Sequence, residues 1–320
     1  MRTFIVLILF VAIGYGAYEW DAHNFNAPGP ASQETDVLIG AGEGVGTIAQ
    51  QLAQAGAIAN AQLFAADIRL RGEAGALKAG EFAIAAHASP ADIAALLISG
   101  KSVQHKITAA EGLTSDMIYA IVKNDSALAG DTGPEPPEGT LLPETYLFTH
   151  GTTREEILLR MQRDQEKFVD AHWDARAPGL PFSTPAEALV LASIVEKETG
   201  IPAERRHIAA VFINRLKLGM KLQSDPTIIY GLTRGYPLGR RIRQSEIARA
   251  TPYNTYAITG LPPTPICNPG KDAIAAVLAP ENSKDLYFVA DGTGGHVFSD
   301  NIADHERNVA RWHKIHDTQP

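Results

Sequence analysis

The sequence predicts an α+β protein in three parts: an N-terminal apolar segment, a small α+β module, and a larger mixed α+β domain toward the C-terminus. Three observations carry this. Residues 3–18 (TFIVLILFVAIGYGAY) contain no charge. Between residues 36 and 104, short apolar runs and amphipathic stretches follow one another in the order strand, helix, helix, strand, helix. From about Thr153 onward the chain holds its densest helix signals and its most unusual polar clusters. These features divide the chain into an anchor (1–20), a linker (21–35), a first module (36–104), a second small module or connector (105–152) and a C-terminal domain (153–320).

The apolar run is short for a spanning helix, because the hydrocarbon core takes about 17–25 residues. An uncleaved anchor and a cleaved secretory signal compete here. The lack of a clean A-x-A site and the aromatic residues Tyr15, Tyr18 and Trp20 favour the anchor, with Arg2 left on the cytoplasmic side. Both alternatives place the rest of the chain beyond the membrane. Residues 21–35 combine Asn, Pro, Gly and Ser without apolar periodicity, the pattern of a linker.

Residues 37–39 (VLI) read as a strand. The glycines of residues 40–46 form a turn, since they match neither G-x-G-x-x-G nor a phosphate loop. Helices are expected over residues 47–58 and 61–71, and a strand over 79–84. Ser89-Pro90-Ala91-Asp92 opens a further helix that ends at Gly100. A weak echo links residues 42–52 (GEGVGTIAQQL) with 110–122 (AEGLTSDMIYAIV), each preceded by a short apolar run, and suggests a duplicated unit. Residues 124–140, rich in Asp, Gly, Pro and Glu, form a loop.

Composition excludes several classes of function. The 28 Lys+Arg are outnumbered by 36 Asp+Glu for a net charge of −8, which argues against a nucleic-acid partner. The single cysteine, Cys267, offers neither an intrachain disulfide nor a thiolate metal cluster. His296 and His305 lack metal-ligand spacing and read as structural histidines. No G-x-S-x-G elbow supports a serine hydrolase.

The chemistry is expected on one helix. Thr184-Pro185-Ala186-Glu187 is a capping box with proline at the first helical position, and Gly200 is placed to take the left-handed stop. The middle of this helix is apolar on nearly all sides, so it is buried. Its last turn carries Glu196 and Glu198, which point about 200° apart and cannot form a close dyad. Glu198 stacks over Leu191, Ile194 and Val195, whereas Glu196 stacks over Leu189, Ala192 and Ser193. Desolvation and the negative end of the helix dipole both raise the pKa of such a carboxyl, which suits a general acid. Two solvated glutamates at a fraying helix end are the competing reading, and periodicity alone leaves it open.

A series of long motifs bears on the choice. LASIVEKETG (191–200), AAVFINRLKLGMKLQSDPTIIYG (209–231), TPYNTYAITGLPPTPICNPG (251–270) and LYFVADGTGGHVFSDNIADHERNV (286–309) together resemble the endolytic murein transglycosylase, or YceG-like, family. The order and spacing match across nearly the whole chain. The resemblance implies a LysM-like first module and a catalytic C-terminal domain. It further implies an enzyme that cleaves the β-1,4 bond between N-acetylmuramic acid and N-acetylglucosamine in peptidoglycan, leaves 1,6-anhydro ends and terminates nascent strands. Its catalytic glutamate falls on Glu198. No cofactor or metal is implied. The expected partners are glycan strands, the inner membrane (with the catalytic domain on its periplasmic side) and the strand-synthesis machinery. Residues 141–146 (LLPETY) and Cys267 depart from the family's usual pattern and bear on subsite detail.

The residues expected to bind substrate are Glu196, Gln223, Ser224, Asp225, Tyr253, Asn254, Thr255 and Tyr256. Asp225 reads equally as a helix cap, with Pro226 at the first helical position. Tyr253 and Tyr256 have flat faces and polar tips suited to sugars, yet equally suit domain packing. Residues 259–263 (TGLPP) are expected to form a rigid cleft wall. Between Arg205 and Arg243 nine Lys/Arg face one acid, Asp225, a run that either attracts anionic peptide substituents or forms a solvated face. A hydrolase with two working carboxylates and a non-catalytic wall-binding scaffold are the rival functions.

Overall fold

The computed structural model describes residues 12, 14–16, 19, 20 and 22–316. The expected anchor over residues 1–20 lies mostly outside the described residues. Among the described residues no helix is long and apolar enough to cross a membrane. The chain divides into two compact units, Met1–His105 with Leu147–Thr152, and Lys106–Tyr146 with Thr153–Pro320.

In the first unit β1 (Thr35–Ile39) pairs antiparallel with β2 (Gly80–Ile84), so that Val37 faces Phe82. Between them run α1 (Val45–Gln54) and α2 (Ala61–Leu70), and α3 (Pro90–Ser99) follows. Alternation puts Val37 and Ile39 on one sheet face with Phe82 and Ile84, where Ile48, Leu52, Phe64 and Ile68 cover them. The Ser89–Asp92 capping box starts α3, and Gly100 stops it in the left-handed region at φ 72°. Leu70 is exposed because it ends α2 on the far side from Phe64 and Ile68.

The expected linker is partly built into this unit. Phe25 is buried, stacks on Phe64 at 6.5 Å, and carries the Arg71 guanidinium 4.0 Å above its ring. Gly29 N–H donates to the His87 carbonyl, and His87 N–H to the Ala31 carbonyl. One aromatic among polar residues has no periodicity to reveal it, so the pattern of residues 21–35 masked its burial.

Residues 106–146 fall in the same compact unit as the C-terminal part. The strand β3 (His105–Thr108), the helix α4 (Ser115–Asn124) and the strand β4 (Thr145–Phe148) repeat the strand–turn–helix theme, and β3 pairs with β4. Within the second unit, buried Asn268 stitches these residues to the C-terminal part. Its Oδ1 accepts from Leu141 N–H, and its Nδ2 donates to the Leu113 carbonyl.

The rest of the unit is helical: α5 (Arg154–Trp173), α6 (Pro185–Glu198), α7 (Arg205–Lys217), α8 (Asp225–Thr233), α9 (Gln244–Ile247), α10 (Lys271–Leu278) and α11 (Ile302–His316). One hairpin, β5 (Tyr287–Ala290) with β6 (His296–Ser299), interrupts them. The helix α6 is the centre of the core. Its Leu191, Ile194 and Val195 are fully buried with Ile208, Phe212 and Val277, each contributing roughly 1.5–3 kcal/mol of burial.

The Thr184 capping box begins α6 as the sequence suggested, but its end differs. Thr199 turns to an extended conformation (φ −142°, ψ 135°), and its Oγ1 accepts from Ile201 N–H at 2.9 Å. This side-chain turn stops the helix at Glu198, and Gly200 does not take the left-handed position.

Candidate active site

The extended approach to α8 alternates inward and outward residues. Leu222 enters the core, Gln223 points outward, Ser224 is buried, and Asp225 points outward again. Gln223 adopts φ +54°, a left-handed conformation costing a non-glycine residue about 1–2 kcal/mol. Its backbone N–H is held by the Thr255 carbonyl at 3.1 Å.

Ser224 occupies the N-cap position of α8, where a serine ordinarily accepts a hydrogen bond from the first turn. Its hydroxyl makes no such bond. It donates instead to Glu198 Oε1 at 2.5 Å. The helix start is tied down by others: Thr227 Oγ1 donates to the Ser224 carbonyl at 2.6 Å, and Thr255 Oγ1 accepts from Ser224 N–H at 2.9 Å. Asp225 is thus the first residue of the helix rather than its cap, and Pro226 is the second.

Glu198 lies in an open cleft of about 400 Å³, lined also by Arg215, Gln223, Asp225, Tyr256, Phe288 and His305. Burial pushes its carboxyl up to about 7; the Ser224 hydroxyl opposes this and the Asp225 charge adds to it. Tyr256 OH donates to Asp225 Oδ1 at 2.7 Å, fixing the second carboxylate at the cleft wall. Arg215 is buried, with Nε donating to the Leu286 carbonyl at 2.6 Å and Nη1 to the Leu222 carbonyl at 2.5 Å. His305 stacks on Tyr287 at 5.0 Å, and its Nδ1 is buried without a partner among the described residues. A bare Nδ1 costs less than a buried unpaired N–H, so the proton belongs on Nε2. Burial and the Arg215 charge also lower its pKa, favouring the neutral ring.

Glu196, expected among the substrate-binding residues, does not line this cleft. Its carboxylate accepts from Gly270 N–H at 2.9 Å and lies 3.7 Å from the Arg205 guanidinium. Arg205 also pairs with Asp272 and Glu111. A Cβ on Gly270 would sit 1.9 Å from Glu111 Oε1, so any larger residue there would push that carboxylate away from Arg205. The 200° between the two glutamates explains the separation: one points to the cleft, the other into an ion-pair network.

The remaining expected residues divide in the same way. Asn254 is buried, and its Nδ2 donates to the carbonyls of Glu246, Ile247 and Arg249. Thr255 is buried among the polar atoms of Ser224 and Thr227. Both hold the loop that holds Ser224, because their small polar groups satisfy backbone that would otherwise be orphaned. Tyr253 packs on Tyr230 at 4.9 Å and bonds Thr264 Oγ1 at 2.8 Å, away from Glu198. Gln223, Asp225 and Tyr256 remain at the cleft. Arg215, Phe288 and His305 were missed by the sequence reading, although Arg215 stands in the 209–231 motif and the other two in the 286–309 motif. Their positions come from α7, the β5–β6 hairpin and α11. His296 serves the hairpin, its Nδ1 2.7 Å from Glu204 Oε2.

The arrangement holds a protonatable carboxyl, oriented by one hydroxyl, beside a second carboxylate and a guanidinium. Among the described residues no group of His, Cys, Asp and Glu is placed to hold a metal ion.

Known proteins agree with this reading of the chain's ancestry. A 173-residue segment is 35% identical to a Bacillus subtilis protein named endolytic murein transglycosylase, covering 54% of this chain and 47% of that relative. A 180-residue segment is 38% identical to the protein of the same name from Streptococcus pneumoniae, covering 54% of this chain and 32% of the relative. The chain therefore spans about half or less of the length of these curated relatives. The crystal structure of a protein described as YceG-like from Listeria monocytogenes superposes with a TM-score of 0.55 at 27% identity, covering 87% of this chain and 99% of that one. The sequence pattern of the YceG-like family matches residues 37–311, and the chain belongs to that family.

Proposed function

We propose that this protein is an endolytic lytic transglycosylase of peptidoglycan with Glu198 as its single acid/base. The observation that carries the proposal is the Glu198 carboxyl, raised to about 7 and held by Ser224 in an open polar cleft. The relatives' name, endolytic murein transglycosylase, supports the same substrate.

Glu198 enters the reaction protonated and gives its proton to the glycosidic oxygen as the C1–O4 bond breaks. The resulting carboxylate accepts the proton of the muramic acid 6-hydroxyl while O6 bonds to C1, closing the 1,6-anhydro ring without consuming water. Ser224 acts on the second half: its O–H stabilises the carboxylate that the first half creates. Asp225, fixed by Tyr256, places negative charge beside the developing oxocarbenium ion. Arg215 and the neutral His305 provide donors for the sugar's acetamido and hydroxyl oxygens.

The βααβ order of the first unit supports a LysM-like role in holding glycan. An inner-membrane anchor in residues 1–20, a periplasmic catalytic domain and contact with the strand-synthesis machinery belong to the same proposal. Cleavage within nascent strands would then terminate their elongation.

One observation favours a second reading. Asp225 shares the cleft with Glu198, and a hydrolase uses two carboxylates, one to activate water. Mass spectrometry of digested peptidoglycan tests the choice. Anhydro ends are expected; free reducing ends overturn the transglycosylase, and no cleavage at all leaves only a wall-binding role.

A further inference from the structure

Beside the Glu198 cleft lies a larger one of about 570 Å³, bordered by Asp225, Ile229, Arg240, Arg241, Ile242 and Trp312 among others. Asp225 borders both clefts, so they meet at that residue. Ile229 follows four residues later on α8, which carries the same helix face onward into the second cleft.

The two arginines are not equivalent. Arg240 is clasped by Glu246 through both nitrogens, at 2.8 and 2.5 Å, so its charge is already balanced. It also donates to the Arg241 carbonyl at 3.0 Å, which steadies the loop. Arg241 is exposed and, among the described residues, makes no ion pair, whereas its neighbour Arg240 is paired with Glu246. Away from Asp225, at the junction of the two clefts, the lining therefore combines one guanidinium outside any described ion pair with branched aliphatic side chains and an indole.

That mixture selects among ligands. A neutral sugar leaves the guanidinium without a counter-charge. A dense polyanion calls for several uncompensated cations, since each bound phosphate is matched by a Lys or Arg. A short peptide carrying a carboxylate and small aliphatic side chains satisfies both halves of the lining.

We propose that this second cleft is the subsite for the peptide substituent of the glycan strand. Arg241 pairs with a peptide carboxylate, while Ile229, Ile242 and Trp312 cover the aliphatic side chains. The inference rests on the proposed peptidoglycan substrate and adds a preference for peptide-bearing over bare strands. The peptide enters past Asp225, which couples recognition of the substituent to the position of the sugar at Glu198.

The test compares kcat/KM on peptide-bearing strands with kcat/KM on strands stripped of peptide by an amidase. The full-length protein is expected to prefer peptide-bearing strands. Arg241→Glu is expected to lower the ratio of the two values about tenfold, the size of one lost charge-assisted hydrogen bond, and Trp312→Ala to lower it less. Free stem peptide is expected to compete, and inorganic phosphate not to. A parent protein that cleaves both strands equally overturns the inference while leaving the transglycosylase intact. So does a parental ratio retained in both variants, or inhibition by phosphate but not by peptide. A parent that cleaves neither strand overturns the function and the inference together.

Discussion

Glu196 and Glu198 leave the same turn of α6 two residues apart, and both are drawn up in pKa by burial. Their surroundings differ in what faces them. Glu196 meets a backbone N–H, a guanidinium and further carboxylates, and its oxygens are matched. Glu198 meets one hydroxyl and an open cleft. A buried acid with its partners complete serves the architecture; one with a single partner and room for a ligand is the one free to serve the proposed chemistry. Burial alone does not tell the two apart.

The largest expected effect would break this contrast outright if it failed. Glu198→Gln should lower turnover by roughly 10²–10⁴-fold, the contribution of a placed general acid/base, whereas Glu196→Gln should stay within about tenfold. Reaction rates on purified strands, with circular dichroism to confirm folding, decide it. Equal losses would remove the distinction.

Next in size is the pH profile. With its carboxyl near 7, the acid form of Glu198 is lost above that value, so kcat/KM should fall about tenfold per pH unit on the alkaline side. Ser224→Ala removes the hydrogen bond that lowers this pKa, so the alkaline limb should move upward as the rate falls. A limb that stays in place would mean that Ser224 does not act on Glu198.

Stability carries the same signature. The folded pKa of Glu198 lies above the ordinary 4.5, so the folded state holds the proton between about 4.5 and 7 when the unfolded chain does not. The contribution is complete below 4.5 and is lost as pH rises through 7, amounting to roughly 1–3 kcal/mol. Denaturant titrations should show this slope in the parent and a smaller one in Glu198→Gln. Glu196 and Glu138, whose pKa values are also raised, add to the remaining slope, and His305, whose pKa is lowered, opposes it.

The smallest effect compares two helix starts. Thr184 caps α6 with its hydroxyl, and Thr184→Ala should cost about 1 kcal/mol. Ser224 stands at the equivalent position of α8 and turns its hydroxyl to Glu198 instead. Ser224→Ala should therefore cost stability less than Thr184→Ala while costing activity more. The reverse order would make Ser224 an ordinary cap.

Much of this was legible in the chain. The helix starts at Ser89 and Thr184, the two strands around Val37 and Phe82, and the buried α6 follow from local chemistry and periodicity, which act over a few residues. The choice of Glu198 over Glu196 was also favoured by the stripe beneath it, although Ala192 and Ser193 beneath Glu196 prove buried as well, with Leu189 half-buried. Phe25 was hidden because a single aromatic has no period. Arg215, Phe288 and His305 were hidden because they come from a helix, a hairpin and a terminal helix far apart in sequence. By itself, then, the sequence determined where α2, α3 and α6 begin, that α6 is core, and that an acid stands at its end. Tertiary structure decided what faces each acid. It set a closed network on Glu196 and a cleft with Ser224, Asp225 and Arg215 on Glu198, since partners for a buried charge are supplied by segments that meet only on folding.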